Sequence, residues 1–200
     1  MPISIDTRRA RVAEAAIQAG ADIVNDVSGG CFDPLMFSTV ARLGVPMVIM
    51  HMRGTPKSMQ SLTDYEDIVK QVSDALLVQS RAAQEVGIHR WLQLVDPGIG
   101  FAKDFEGNLR LLKNLGRIRH MTGQLPILLG TSRKGFIGML TGVEKPSDRD
   151  IGSISSCVAS FCIEGHPKSS VGTPCNVVRV HNVGAFTQAL KVMDAIRQVK

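Results

Sequence analysis

Short apolar segments alternate along the chain with longer stretches in which apolar side chains return every three or four positions. That alternation of periods predicts strand-helix-strand repeats and a parallel sheet, the α/β class. The first strand is read at Ile3 to Asp6. Its helix starts near Thr7, carries Val12, Ala15, Ala16 and Ala19 on one side, and stops at Gly20. Asp22 to Val27 is the second strand; after Gly29-Gly30, Asp33 and Pro34 read as the N-cap and first turn of a helix closed by Gly44. Met47 to His51 is the third strand, followed by a polar loop from Arg53 to Thr63 and the longest helix, about Tyr65 to Val86.

The fourth strand is Leu92 to Asp96. Pro97-Gly98-Ile99-Gly100-Phe101 behind it is a tight turn, because a proline and two glycines oppose helix. A helix follows from about Gly107 to Met121, with Leu109, Leu111, Leu112 and Leu115 as core. Ile127 to Gly130 is the fifth strand, Thr131-Ser132-Arg133-Lys134 opens a short helix, and another runs from about Asp148 to Ile163. Asn176 to His181 is the sixth strand, and its helix runs from about Gly184 to the end. A closed strand-helix barrel takes eight such units and typically ~250 residues. Six units in 200 residues therefore predict an open doubly wound sheet, or a TIM-type (β/α)8 barrel that is incomplete, with two units absent from the front.

Composition narrows the class. At 44% hydrophobic and 20% charged the chain reads as one globular domain over residues 1–200, which excludes a disordered tail or a fibre. No apolar run approaches the roughly 18 residues of a membrane helix, Val45 to Met50 being the longest of note. Cys31, Cys157, Cys162 and Cys175 have neither disulfide-framework nor zinc-ligand spacing and are read as reduced thiols. With no targeting peptide visible at the amino terminus, an intracellular location is expected, cytoplasmic or mitochondrial. The net charge of +5 suits an anionic ligand; the cations are dispersed and one Trp and one Tyr make no stacking platform, which argues against nucleic acid.

The polar residues fall in one kind of place. Asp6, Asn25, His51, Asp96, Lys134, Arg179 and His181 all lie at the carboxyl end of a predicted strand or just past it, the rim where parallel strand-helix folds bind ligands. Arg179 and His181 are two apart on a predicted strand, so both face one side and suit a phosphate or pyrophosphate. Asp6, Asn25 and Asp96 can read the N–H and amino groups of a nitrogen heterocycle. Ser132 and Lys134 at a strand-to-helix junction suit a carboxylate or phosphate. Plain structural roles stay open: Asp6 as a helix cap, Arg179 stacked for packing, His181 as a cap of the next helix, Phe101 as an anchor to the core.

Six ordered segments carry a specific likeness: Ile5-Asp6-Thr7, Val24-Asn25-Asp26-Val27, Met50-His51-Met52-Arg53-Gly54, Asp96-Pro97-Gly98-Ile99-Gly100-Phe101, Gly130-Thr131-Ser132-Arg133-Lys134 and Arg179-Val180-His181. Together they resemble the dihydropteroate synthases of folate synthesis, over nearly the whole chain. The resemblance implies a transferase on a TIM-type barrel that joins 6-hydroxymethyl-7,8-dihydropterin pyrophosphate to 4-aminobenzoate, releasing pyrophosphate and 7,8-dihydropteroate. By the same likeness Asp6, Asn25, Asp96 and Lys134 hold the pterin, with Met50 and Gly130 lining its slot. Phe101 and Ser132 receive the 4-aminobenzoate, and Asn25, Arg179 and His181 bind the pyrophosphate; Lys134, Arg179 and His181 form the catalytic group.

Magnesium is expected on the pyrophosphate. No metal ligand is assigned to these residues, because the family's metal loop belongs to strand-helix units that precede the first strand read here. A homodimer through the last helices is also implied. The stretch from His166 to Cys175 departs from the family pattern and reads as a loop away from the rim. The alternatives are a non-catalytic pterin-binding fragment, a methyl-transferring pterin barrel, and an aldolase with Lys134 as Schiff-base lysine.

Overall fold

Backbone pairing decides between the two architectures left open by the sequence. The computed structural model describes residues 1–162 and 174–199. Its strands are β1 (Ser4–Asp6), β2 (Ile23–Asp26), β3 (Met47–Met50), β4 (Gln93–Asp96), β5 (Leu128–Leu129) and β6 (Val177–Val178). β1 to β4 pair parallel in chain order, β5 pairs parallel with β6, and the single bridge Val95–Ile127 joins the two groups. Each strand thus lies beside the next in sequence. A doubly wound sheet reverses strand order at a switch point; this one does not. The Arg179 guanidinium, just past β6, also bonds the Asp6 carboxylate at the end of β1, bringing the two outer strands of the wall together. The architecture is a barrel wall of six strands out of the usual eight.

The helices are α1 (Ala10–Gln18), α2 (Met36–Leu43), α3 (Ile68–Glu85), α4 (Phe105–Lys113), α5 (Leu115–Met121), α6 (Gly135–Thr141), α7 (Asp150–Cys162) and α8 (Val183–Gln198). Strand alternation sends one set of side chains out to this layer. Val24, Met47 and Ile49 pack with Ala13, Met36 and Val40 of α1 and α2. Val95, Ile127 and Leu129 pack with Val72, Leu76 and Leu111 of α3 and α4. The alternate set, Asn25, Val48, Met50, Leu94, Asp96 and Leu128, faces the barrel interior. The predicted core leucines agree: Leu111, Leu112 and Leu115 are buried, and Leu109 packs against the same cluster.

Several boundaries depart from the sequence reading. α1 begins at Ala10, not Thr7, whose hydroxyl accepts from the Arg9 N–H. Asp33 does not cap α2: its carboxylate takes the Leu35 N–H and reaches across to the first N–H of α1, at Ala10. The helix read as continuous from Gly107 to Met121 breaks at Asn114, whose side chain turns back to the Arg110 carbonyl. β6 is only two residues long, so Arg179 and His181 lie in the loop beyond it, and strand alternation does not orient them. Most of the departing stretch, residues 166–173, lies outside the described residues.

The turn after β4 is fixed by backbone geometry. Gly98 has φ +69°, and a Cβ there would lie 2.1 Å from the His51 carbonyl oxygen, far inside contact distance. Both facts demand glycine. Gly98→Ala is expected to lower stability by about 2 kcal/mol or more, since a strained φ and a backbone clash add. Urea unfolding monitored by circular dichroism measures it, and an unchanged midpoint would refute the close approach.

Candidate active site

Register assembles the rim. Asp6 pairs with Asn25 across β1 and β2, and Met50 pairs with Asp96 across β3 and β4. Asn25 is buried and its amide donates to the Asp6 carboxylate, while its own carbonyl oxygen has no hydrogen-bond partner. A buried acceptor left unpaired carries a cost of roughly 1–3 kcal/mol, so it is poised for a donor from elsewhere. Asp6 is shared between Asn25 and Arg179. Both partners of the Arg179–Asp6 pair are about half exposed.

Asp96 is 6% exposed and accepts the Gly98 N–H at 2.7 Å. Burial raises its pKa; Lys134, the Gly98 N–H, Lys103 and Arg179 all oppose that rise. Lys134, in the turn between β5 and α6, directs its ammonium at the Ile99 carbonyl and lies 5.1 Å from the centre of the Phe101 ring. Burial lowers the Lys134 pKa, with Asp96 pulling the other way and Arg179 adding to the fall. Gly130 is the gap between these groups: a Cβ there would lie 3.8 Å from Lys134 Nζ and 3.9 Å from Arg179 Cβ. Phe101 is half-buried, and its ring stands beside the Lys134 ammonium.

A second pair completes the rim. Ser132 Oγ lies 2.9 Å from His181 Nδ1 and accepts the His181 N–H at 3.2 Å. The loops that bear them are tied by Asp150, the first residue of α7. Its carboxylate accepts Arg133 Nε at 2.8 Å, Arg133 Nη2 at 3.1 Å and Asn182 Nδ2 at 3.0 Å. The Arg133 contacts, then Asn182, bring the Asp150 pKa down to about 2. Arg133 itself has φ +61°, a left-handed conformation that turns its side chain toward Asp150, between Ser132 and Lys134.

Asp6, Asn25, Met50, Asp96, Phe101, Gly130, Ser132, Lys134, Arg179 and His181 therefore share one rim, as their positions in the sequence predict. His51 is different. It is 4% exposed, follows Ile49 on the outward side of β3, and points its Nδ1 at Lys103. Sequence reasoning assigns no role to Lys103, Asp150 or Arg133. For Lys103 a signal exists, as a lone cation at the end of an otherwise apolar turn. An apolar hollow of about 670 Å³ between α4, α6 and α7, lined by Leu112, Phe136, Ile151 and Ala159, lies in the helical layer and includes none of the rim groups.

The rim can bind a flat, donor-rich ring against Asp96 and Asn25 and an anion against Arg179 and His181. The described residues bring no three His, Cys, Asp or Glu side chains together as a metal cage. No helix among the described residues is long and apolar enough to cross a membrane.

Known proteins resemble this chain in sequence and fold. The family described as pterin binding enzyme matches residues 1–167. The chain is 39% identical over 196 residues to the dihydropteroate synthase of Synechocystis sp., covering 98% of this chain and 64% of that protein. It is 44% identical over 197 residues to the folic acid synthesis protein fol1 of Pneumocystis carinii, covering 97% of this chain and 25% of that protein. It thus spans from a quarter to about two thirds of these relatives' lengths. The solved dihydropteroate synthase of Thermus thermophilus in complex with 6HMPPP superposes with TM-score 0.87 at 37% identity, over 98% of this chain and 73% of that one. The rim geometry, the matched residues and these likenesses together establish that the chain belongs to the pterin-binding enzyme family that includes the dihydropteroate synthases.

Proposed function

We propose that this chain carries the pterin-reading and pyrophosphate-receiving wall of a dihydropteroate synthase. The reaction joins 6-hydroxymethyl-7,8-dihydropterin pyrophosphate to 4-aminobenzoate and yields 7,8-dihydropteroate and pyrophosphate. The observation that carries this reading is the unpaired, buried Asn25 Oδ1 on the same rim as the buried Asp96 carboxylate. A reduced pterin offers ring N–H and amino donors to both, and Lys134 can leave the Ile99 carbonyl to donate to a ring acceptor. Met50 and Gly130 leave room for the ring, and Phe101 closes over it on the aminobenzoate side.

The residues favour a dissociative course. The bond between the pterin methylene carbon and the pyrophosphate oxygen breaks first, and its electron pair leaves with the pyrophosphate. Arg179 and His181 stabilise that charge, while the ring held by Asp96 spreads the positive charge of the methylene. The arylamine nitrogen then attacks the methylene and loses a proton to solvent. Ser132, within reach of His181, holds the aminobenzoate carboxylate and so aims the amine. Magnesium, were it bound with the pyrophosphate, would neutralise part of the anion's charge beside Arg179 and His181.

Incubating the chain with both substrates and separating products by chromatography tests the reading: dihydropteroate is expected. Pterin binding without product would leave a binding fragment, and no pterin binding would overturn the assignment altogether. Arg179→Ala is expected to weaken pyrophosphate binding about tenfold or more, the worth of a charge-assisted hydrogen bond, and to leave pterin affinity within about twofold. Calorimetric titration of each ligand reads this, and an equal loss of both would remove Arg179 from the pyrophosphate subsite. The exposed Ile151, Val192 and Ile196 on α7 and α8 support the homodimer. Sedimentation at micromolar concentration should give twice the chain mass; a monomer throughout would refute it.

A further inference from the structure

Lys103 is a buried ammonium with no carboxylate in contact among the described residues. It is 4% exposed, and its Nζ meets the Phe101 carbonyl at 2.7 Å, His51 Nδ1 at 3.0 Å and the His51 carbonyl at 3.4 Å. Three donors thus find three neutral acceptors. Taking a cation out of water costs several kcal/mol unless an opposite charge compensates, so neutral acceptors alone are a weak reason for a lysine here.

The compensating charge lies one turn away. Gly98, whose N–H holds Asp96 Oδ1 at 2.7 Å, packs so closely on the ammonium that a Cβ at Gly98 would lie 3.4 Å from Lys103 Nζ. The Asp96–Gly98 segment therefore lies between the pterin slot and the buried cation. The charged and titratable groups around Lys103 are Asp96, which favours its protonated form, and Lys134 and Arg53, which oppose it. His51 adds no charge: burial first, then Lys103 and Arg53, lowers its pKa to about 3, so it accepts through Nδ1 as a neutral ring with its proton on Nε2. The Tyr65 ring, 6.3 Å from the His51 ring, carries the Arg53 guanidinium on its face and screens this side from water. Facing Asp96 from other elements are Lys134, Arg179 and the buried Cys175 thiol, whose pKa is pushed up to about 12, by burial first and with Asp96 adding to the rise, so that it stays neutral.

We propose that Lys103 is a positioning residue, the buried counter-charge that keeps the Asp96 carboxylate anionic and pins the Pro97–Phe101 turn onto the end of β3. It touches neither substrate. It acts through Asp96, and it deepens the pterin reading above by naming what lets a carboxylate stay ionised in a dry slot. It also explains why His51 follows the outward side of β3: its ring nitrogen and carbonyl supply two of the three acceptors that orient the ammonium.

The burial that raises the Asp96 pKa also lowers that of Lys103, to about 7, so the two groups are linked in opposite senses. Removing the cation must let the Asp96 pKa rise further, and the anionic form is then lost at a higher pH on acidification. The direct test titrates the Asp96 carboxyl carbon by NMR in the ligand-free wild type, Lys103→Met and Lys103→Arg. Methionine keeps the volume of the stem and removes the charge; arginine keeps the charge. In K103M, Asp96 is expected to titrate at least about one pH unit higher, the effect of losing a nearby opposite charge, and in K103R close to the wild type.

Dihydropterin affinity measured from pH 5.5 to 9 gives the second readout. K103M should lose affinity at a higher pH than the wild type on acidification, by up to about tenfold, and recover toward wild type at pH 9, as Asp96 ionises without help. An Asp96 titration unchanged in K103M overturns the proposal, as does a loss of affinity equal at every pH, which would mark Lys103 as packing alone. Should K103M not fold, an Asp96 titration displaced as far in K103R as in the uncharged variant Lys103→Gln would overturn it too. A wild type that binds no pterin would fail the functional reading instead, while the carboxyl titration still decides the role of Lys103.

Discussion

A carboxylate taken out of water at the end of β4 sets the terms for its surroundings. Asp96 is nearly inaccessible, and an isolated anion in that position would simply take up a proton. The chain meets this with one backbone N–H at Gly98 and three cations from three different segments, Lys103, Lys134 and Arg179. Each of those cations is in turn oriented by a carbonyl or a carboxylate: Phe101 for Lys103, Ile99 for Lys134, Asp6 for Arg179. The turn from Pro97 to Phe101 supplies two of those three acceptors, which is why its geometry is so restricted.

Around that centre the arrangement divides by polarity. Asp96 and the half-satisfied Asn25 form an acceptor-rich wall for a neutral, donor-bearing ring. Arg179 and His181 form a donor-rich corner for an anion. A reaction that expels an anion from a ring substituent needs both, side by side, and the adjacency comes from the Arg179–Asp6 pair, with Asp6 in register with Asn25 across β1 and β2. Asp150 then ties the loops of Ser132 and His181 to one another through Arg133 and Asn182, so the two loops share a common anchor in the first turn of α7.

Much of this is legible in the amino-acid order. The alternation of apolar periods yields six strand-helix units, and the polar residues at strand ends yield the rim, because both depend on local spacing that a chain displays directly. Strand order needs coordinates: six units fit an open sheet as well as a barrel wall until the Val95–Ile127 bridge and the Arg179–Asp6 pair are seen. The orientation of Arg179 and His181 escapes strand reasoning because β6 ends at Val178, and a loop residue obeys no period. His51 and Lys103 are opaque for a different reason. Their roles rest on a contact between residues 52 positions apart, and nothing in local spacing reveals which buried cation serves which anion.

The backbone ladder of this wall is continuous from β1 to β4 and again from β5 to β6, but among the described residues a lone bridge connects the two runs. Asp6, Asn25 and Asp96 belong to one run; Ser132, Lys134, Arg179 and His181 follow strands of the other. Any molecule gripped by both sets therefore acts as a splint across the thinnest line of the sheet. Occupancy and mechanical integrity become one equilibrium, so that a compound filling both corners also fastens the wall on which it rests.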